Sequence, residues 1–141
     1  MWRCALSQYS VTYHKELTET PVYHCTDILW SENPLIREQH DFLTYRGLLL
    51  EEVVGQEGLV CTCNGFTVGA IVFSELTMDS HFPGWGRIVL YSVTSRFHPQ
   101  ATLLLYRELT NAIRRQGGEW YQTTSRISDT EFKSKYRRIH G

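Results

Sequence analysis

The sequence predicts an α/β fold of the α+β kind, in which helices flank a mixed β-sheet. An Asn-Gly pair at 64–65 lies between two β-prone runs, which is the pattern of an antiparallel hairpin. Residues 86–118 have the pattern of a strand, a turn and a helix, and a second strand follows at 119–124. Because strands joined through a helix lie parallel, the sheet is expected to combine both kinds of pairing.

Length and composition limit the classes of protein that this chain can represent. Its 141 residues are 42% hydrophobic and 21% charged, which describes a single globular domain over residues 1–141. No apolar run is long enough to cross a membrane, and the N-terminus lacks the apolar core of a signal peptide. We therefore expect a cytoplasmic protein without membrane association, whose four cysteines need no pairing.

Charge is distributed unevenly along the chain. Residues 1–95 contain five Lys/Arg and eleven Asp/Glu, a net charge of −6, whereas residues 96–141 contain nine and four, a net charge of +5. The basic end is either a solvated face or a surface for a phosphate-bearing ligand or nucleic acid. Since no known nucleic-acid-binding motif accompanies it, nucleic acid is the less favoured partner.

The N-terminal quarter of the chain has weak patterns. Residues 1–13, which include Trp2, alternate in the manner of one or two short strands. Polar residues at 14–21 indicate a loop, and residues 21–25 fit a short strand.

Residues 34–54 have the spacing of apolar side chains that is typical of a helix. Ser31 or Asn33 is placed to cap its start, and Pro34 fits the first helical position. Gly47 lies inside the pattern and is the point at which it could divide into two helices.

The hairpin strands at 59–74 contain two cysteines on one face, Cys61 and Cys63. This Cys-x-Cys spacing is not a usual zinc pattern, and His24 and Cys25 are the nearest candidates for further ligands. Buried thiols are the better interpretation, so no metal site is expected.

Two segments flank the strand–helix–strand unit. Residues 75–86 indicate a loop whose aromatic and histidine side chains either line a pocket or cap the sheet edge: His81, Phe82 and Trp85. Residues 128–136 predict a short terminal helix, because Ser128 and Glu131 match a capping box.

This order of elements resembles the GNAT family of acyl-CoA N-acyltransferases over residues 59–136. In that family the turn between strand and helix carries Gln/Arg-x-x-Gly-x-Gly/Ala, whose amides bind the pyrophosphate of coenzyme A. The segment Arg96-Phe-His-Pro-Gln-Ala matches at Arg96 and Ala101. Pro99 replaces the central glycine and lacks the N–H that glycine would donate.

The resemblance implies a binding site for acetyl-CoA, which would serve as co-substrate. Its residues lie at the end of the strand and in the turn: Val93, Thr94, Arg96, His98, Gln100, Ala101 and Thr102. Backbone amides near 92–94 would polarise the thioester carbonyl. Arg126 or Lys133 could meet the remaining phosphate charge.

The resemblance also implies the catalytic groups. Tyr136 matches the tyrosine that the family uses as proton donor to the departing thiolate; the alternative is a tyrosine that only packs against the sheet. The family's usual glutamate is missing from residues 87–93. Glu75 and His98 are the substitutes as general base, although each also fits an ordinary solvated charge or turn residue.

Two functions follow from this comparison. The first is an acyl-CoA-dependent N-acyltransferase whose acceptor is an amine of a small molecule or a protein. The second is a catalytically inactive structural or assembly protein, for example a bacteriophage particle component, which would be virion-associated. The missing base, glycines and last two strands favour the second function, and Arg96, Ala101 and Tyr136 favour the first. The exposed sheet edge invites a partner strand, which predicts a homodimer or larger assembly.

Overall fold

The computed structural model describes residues 4–139 and contains a mixed sheet with helices on both faces. Trp2 lies outside the described residues, as do the last two. A short 3-10 helix at Leu6–Gln8 precedes the regular elements. These are β1 (Tyr9–His14), α1 (Glu19–Glu32), α2 (Pro34–Gln39), α3 (Phe42–Val53), β2 (Glu57–Cys63), β3 (Phe66–Phe73), β4 (Thr77–Asp79), β5 (Phe82–Thr94), α4 (Gln100–Arg115), β6 (Trp120–Arg126) and β7 (Phe132–Arg138).

The sheet has the order β1-β2-β3-β5-β6-β7, and β4 pairs with the first half of β5. Strands β5 and β6 are parallel, and the remaining pairs are antiparallel. This confirms the predicted α/β fold with its antiparallel hairpin and its strand–helix–parallel strand unit. Within the part of the chain that the structure describes, no helix has the length and apolar character needed to cross a membrane.

Alternate side chains of the strands enter two separate cores, as the pleat of a sheet requires. On one face, α4 packs through Leu105, Leu109 and Ile113 against residues such as Ile71 and Phe73. On the other face, α1 and α3 cover a second cluster that includes Val22, Leu49, Ala70, Val72 and Val93. The sheet therefore has an α4 face and an α1/α3 face, and these names are kept below.

The β2–β3 turn forms as its sequence predicts. Asn64 and Gly65 have positive φ angles of 51° and 86°, the conformation that a two-residue hairpin turn of this type requires. The flanking residues Cys63 and Phe66 are paired across the turn.

Strands β5 and β6 are joined for only three residues. Gly86, Arg87 and Ile88 pair with Trp120, Tyr121 and Gln122, and the parallel ladder ends there. Strand β5 then continues to Thr94 beside β3, with a register shift next to Phe73. The two parallel strands therefore diverge beyond Ile88, which opens the sheet.

Several predictions for the first half of the chain were wrong. Helix α1 occupies the residues assigned to a loop and a short strand, because Val22 and Cys25 face the core from a helix. Pro21 is compatible with this helix because it lies in the first turn. The division between α2 and α3 falls at 40–41, and not at Gly47, because Asp41 caps α3 by accepting a 3.1 Å hydrogen bond from the Thr44 amide.

The C-terminal helix predicted at 128–136 is also wrong, since β7 pairs antiparallel with β6. The Ser128 hydroxyl does accept from the Glu131 amide at 3.2 Å, as in a capping box. However, the Ile127 amide donates to the Glu131 carbonyl at 2.8 Å, which closes a hairpin turn in place of a helix. One further strand therefore follows β6. The predicted loop at 75–86 likewise contains β4 and the start of β5.

The cysteines differ from the expectation of four thiols. Cys4 and Cys63 form a disulfide, because the segment before β1 brings Cys4 to the end of β2. Cys25 and Cys61 are free and buried. The pair Cys61 and Cys63 is therefore not available as two thiolate ligands.

Candidate active site

The divergence of β5 and β6 creates a cleft of about 500 Å³ on the α4 face. Polar and aromatic side chains from four elements line it: Ser92, Tyr106, Tyr121, Thr123, Thr124, Ser125 and Arg137. Hydroxyl groups predominate, and Arg137 supplies the positive charge. The cleft can accept an extended polar ligand between the strands.

Backbone amides of β5 also face this opening. The Ser95 amide donates to the Val68 carbonyl of β3 at 2.9 Å. Because successive amides of a strand point to alternate sides, those of Ser92 and Thr94 point away from β3, toward the diverging β6. Such amides are suited to stabilising negative charge on a carbonyl oxygen.

Two tyrosines lie at the wall of the cleft. The Tyr106 hydroxyl donates to the Ser92 hydroxyl at 3.2 Å, which links α4 to β5. The rings of Tyr106 and Tyr121 are 5.8 Å apart between centroids. Burial raises the pKa of the Tyr121 hydroxyl.

The turn between β5 and α4 has most of its amides already hydrogen-bonded within the protein. Five backbone amides of the turn donate hydrogen bonds to acceptors within the protein: those of Arg96, Phe97, His98, Ala101 and Thr102. The acceptor for Arg96 is the carboxylate of Glu32, at 2.6 Å, and the same carboxylate accepts from the Ser95 hydroxyl at 2.8 Å. A carboxylate from the end of α1 therefore lies where the resemblance implies a phosphate.

The predicted binding residues lie together around this turn, but their side chains face different ways. Val93 and Ala101 are buried in the cores on opposite faces of the sheet. The Thr102 hydroxyl donates to the Thr94 hydroxyl at 2.9 Å. Arg96 and Gln100 are exposed, and the Arg96 guanidinium lies 4.8 Å from the centre of the Phe97 ring.

His98, which was assigned to both binding and catalysis, is a buried residue of this turn. Its Nδ1 atom is 2.9 Å from the Tyr9 hydroxyl of β1, and the two rings meet edge to face. The side chain therefore joins the turn to β1 and is not among the residues that line the cleft.

Glu75 and the two basic residues assigned to phosphate charge are exposed. Glu75 follows β3 and borders a different surface depression, together with Glu57 and Lys15. Arg126 ends β6 with its guanidinium 4.9 Å from the centre of the Phe132 ring. Lys133 is in β7. Of these residues, none belongs to the cleft lining.

Tyr136 lies on β7 opposite Gln122, while its neighbour Arg137 lies opposite Tyr121. Side chains alternate along a strand, so Tyr136 and the cleft residue Arg137 occupy opposite faces. The Tyr136 ring stacks on Phe82 with centroids 5.3 Å apart, and its hydroxyl donates to Asp79. Tyr136 therefore holds the β4–β5 hairpin against β7.

The hydrogen bond from Tyr136, followed by those from His81, lowers the pKa of the Asp79 carboxyl to about 2. The same contact with Asp79 raises the pKa of Tyr136. His81 Nδ1 is 2.8 Å from the Asp79 carboxylate, and the His81 ring is exposed. The segment predicted as an aromatic loop is therefore the end of the β4–β5 hairpin. Contacts of Tyr136 with Phe82 and Asp79 hold it in place.

A second, apolar cavity of 110 Å³ lies on the α1/α3 face. It is bounded by α1, α3, β3 and β5, and Ser92 lines both this cavity and the cleft. Burial raises the pKa of the Cys25 thiol in its wall to about 12, so this sulfur is a neutral group.

The sequence patterns did not single out several of these residues. Tyr106 and Tyr121 lie in segments recognised only as helix and strand, and their meeting depends on the packing of α4 over β6. Glu32 is 64 residues from Arg96, so no local motif joins them. Arg137 belongs to the basic end of the chain, and only that charge bias pointed toward it.

The residues of the cleft are suited to binding a thioester. The residues of the turn are less suited to binding the diphosphate of coenzyme A. Amides of β5 that point away from β3 and hydroxyl donors border the cleft, which suits a polarised carbonyl. In the turn, Pro99 has no N–H and the Arg96 amide is bonded to Glu32. The exposed Arg96 side chain is the cationic group that remains at the turn.

No protein-family profile and no curated protein sequence matches the chain. Its fold is nevertheless that of solved acetyltransferases. Ard1 from Thermoplasma volcanium superimposes with a TM-score of 0.64 at 12% identity, covering 95% of this chain and 99% of that one. A ribosomal-protein-alanine N-acetyltransferase from Brucella melitensis biovar Abortus 2308 gives 0.58 at 14% identity, covering 86% and 82%.

A third similar structure, assigned to the GNAT family of acetyltransferases, comes from Desulfovibrio desulfuricans. Its TM-score is 0.58 at 12% identity, and the match covers 82% of this chain and 73% of that one. At such identities the likeness establishes the fold alone. The chain has the GNAT fold that its element order led us to expect.

Proposed function

We propose that this protein is a single-domain N-acyltransferase that transfers an acyl group from acyl-CoA, with acetyl-CoA as the reference donor, to an amine. The observation that carries the proposal is the opening between β5 and β6. There, amides of β5 and hydroxyl groups of α4 and β6 converge on one cleft. The ladder between the two strands ends after three pairs, which leaves the edge of β5 beyond Ile88 facing the cleft.

The thioester supplies an activated carbonyl carbon and a thiolate leaving group. The amides of Ser92 and Thr94 are oriented to stabilise negative charge on the carbonyl oxygen as the amine nitrogen attacks. A carbon–nitrogen bond forms and the carbon–sulfur bond breaks, while the surplus amine proton passes to a base or to water. Holding both reactants in the cleft supplies a large part of the acceleration.

Tyr106 is the hydroxyl best positioned to protonate the thiolate, since it lines the cleft and contacts Ser92. Tyr136 stays the candidate that the family resemblance implies, although it faces the other side of the sheet. Glu75 and His98 stay candidates for the base; their positions outside the cleft favour proton transfer through water.

Arg96 and Arg137 are the cations that border the turn and the cleft, and they would meet the phosphate charges of the donor. Gln100 and Thr102 of α4 would contribute through the start of the helix. The acceptor is an amine of a small molecule or a protein. The Brucella protein named above is a ribosomal-protein-alanine N-acetyltransferase, whose acceptor is an amine of this kind.

Calorimetric titration with acetyl-CoA at low and moderate salt tests the proposal. We expect saturable binding in the micromolar range that weakens with salt, because phosphate contacts are electrostatic. Thr123→Trp, which fills the cleft from β6, should abolish binding. Thr130→Trp in the exposed β6–β7 turn is the control and should leave binding unchanged. Absence of binding at millimolar acetyl-CoA would rule the proposal out.

A second candidate is a GNAT-fold protein without chemistry that serves as a structural or assembly component. The turn before α4 favours this function, because its Arg96 amide already donates to Glu32 and Pro99 has no N–H to donate to a phosphate. The exposed edge of β7 offers a surface for association in a homodimer or larger assembly. Failure to bind acetyl-CoA, together with a self-association constant in the micromolar range by sedimentation, would select this function.

A further inference from the structure

The apolar cavity on the α1/α3 face is bounded almost entirely by hydrocarbon side chains. From α1 and α3 come Val22, Leu29 and Leu49, and from β3 come Ala70 and Val72. The lining residues with polar atoms in their side chains are few: Cys25, whose thiol is neutral, Tyr45, Tyr91 and Ser92. A cavity with such walls stays dry and favours an apolar occupant.

This cavity adjoins the reaction cleft. Tyr91, Ser92 and Val93 of β5 border the cavity, and Ser92 also borders the cleft on the opposite face. Ser92 carries one of the amides that the proposed mechanism aims at the thioester carbonyl. Because β5 and β6 are not paired beyond Ile88, a group attached to that carbonyl at the edge of β5 can turn toward either face of the sheet, and Ser92 borders the cavity on the α1/α3 face.

The size of the cavity restricts the chain that it can hold. An apolar cavity of about 150 Å³ accommodates benzene, which has six carbons. In proportion, 110 Å³ accommodates about four carbons. An acetyl group would leave most of this space empty, and a long fatty acyl chain would not fit.

We infer that the preferred donor carries a short acyl chain of about four carbons, of the butyryl class, with its tail in the cavity between α1, α3, β3 and β5. The inference rests on the proposed function and names the acyl group for it. Binding is strengthened by burial of methylene groups among Val22, Leu49, Ala70 and Val72, and selectivity comes from the small volume of the cavity.

Calorimetric titration with a series of CoA thioesters tests this inference. Acetyl-, butyryl- and octanoyl-CoA share all polar contacts and differ only in the chain. Each buried methylene contributes about 0.8 kcal/mol, so butyryl-CoA should bind about tenfold more tightly than acetyl-CoA. Octanoyl-CoA should bind no more tightly than acetyl-CoA, because its chain exceeds the cavity.

Ala70→Leu, which fills the cavity from β3, should remove the preference for butyryl-CoA over acetyl-CoA. If that variant does not fold, Ala70→Val fills less space and should reduce the preference in part. Val68→Ile adds a methyl group to the core on the α4 face of the same strand and is the matched control. It should keep the full preference.

The outcomes separate this inference from the proposed function. Equal affinity for acetyl- and butyryl-CoA, or an affinity that still rises at octanoyl-CoA, would overturn the short-chain cavity and leave an acyltransferase. Failure of every thioester to bind would overturn the proposed function itself. An unchanged preference in a folded Ala70→Leu variant would place the chain elsewhere in the protein.

Discussion

The carboxylate of Glu32 accepts a 2.6 Å hydrogen bond from the backbone amide of Arg96. It also accepts from the adjacent Ser95 hydroxyl, so the end of α1 is tied to the turn before α4. This turn is the segment whose amides would meet a phosphate in the proposed function. A carboxylate and a phosphate compete for the same donors, and only one of them can be bound there.

Glu32→Ala is therefore expected to increase affinity for the phosphates of coenzyme A. A hydrogen bond to a charged group contributes about 1.5–3 kcal/mol, so its release should tighten binding by about tenfold or more. Titration with free coenzyme A measures the change. Glu38→Ala, an exposed position on α2, is the control and should have no effect. Weaker binding by Glu32→Ala would mean that Glu32 supports the site and does not compete for it.

The roles of Tyr106 and Tyr136 can be separated by removing each hydroxyl. Tyr106→Phe should lower turnover by about 10²–10⁴-fold with little change in donor affinity, since proton transfer contributes that much to catalysis. Tyr136→Phe should lower the thermal unfolding midpoint, because the hairpin loses its bond to Asp79. Steady-state kinetics and thermal denaturation of both variants decide between them. The reverse pattern would assign proton donation to Tyr136.

Stability should depend on pH through Asp79. Its pKa is lowered from 3.8 to about 2 in the folded protein, so folding favours the charged carboxylate. The resulting stabilisation is present above the unfolded value and is lost as the pH falls from 4 to 2. Urea denaturation at several pH values measures it. In Asp79→Asn the loss over this interval should be smaller, and an identical pH dependence in the two proteins would contradict this assignment.

The parts of the fold that follow from short-range signals could be predicted from the sequence. Asn64-Gly65 needs only its own φ angles, and Gly117 ends α4 with a φ of 80° for the same local reason. The amphipathic pattern of α4 placed Leu105 and Leu109 in a core without any further information. The parallel β5–β6 pair followed from the helix that joins the two strands.

Features that depend on tertiary contacts could not be predicted in this way. Residues 132–138 became a strand because β6 offers an edge, whereas the local Ser128 bond is compatible with either outcome. Helix α1 depends on burial of Val22 and Cys25 against the sheet. In the candidate site, Tyr106 meets Ser92 and Glu32 meets Arg96 only through the packing of separate elements.

The contacts of Arg87 could not be predicted from the sequence either, since its position in an apolar strand does not indicate which residues it bonds to. Its side chain is 6% exposed and bonds to Glu57 at 3.0 Å, the Ser74 carbonyl at 2.7 Å and Gln116 at 2.6 Å. Arg87→Met should lower the free energy of unfolding by about 3–5 kcal/mol, because it leaves the Glu57 charge unpaired. In the double variant with Glu57→Gln the loss should be smaller than the sum of the single losses. Chemical denaturation of the four proteins measures the coupling, and strict additivity would show that the pair is not coupled.

Gly86 and Gly47 should respond to alanine in opposite directions. At Gly86 a Cβ atom would lie 2.1 Å from the buried indole ring of Trp120, so β5 and β6 could not keep their register. Overpacking of this kind costs about 1–3 kcal/mol or more. At Gly47, inside α3, a Cβ atom would meet nothing within 4 Å, and alanine should stabilise the helix by about 0.5–1 kcal/mol. Urea denaturation compares the two variants. Because Gly86 and Trp120 form the first pair of the short parallel ladder that holds β5 and β6 beside the cleft, Gly86→Ala should also weaken donor binding, whereas Gly47→Ala should not.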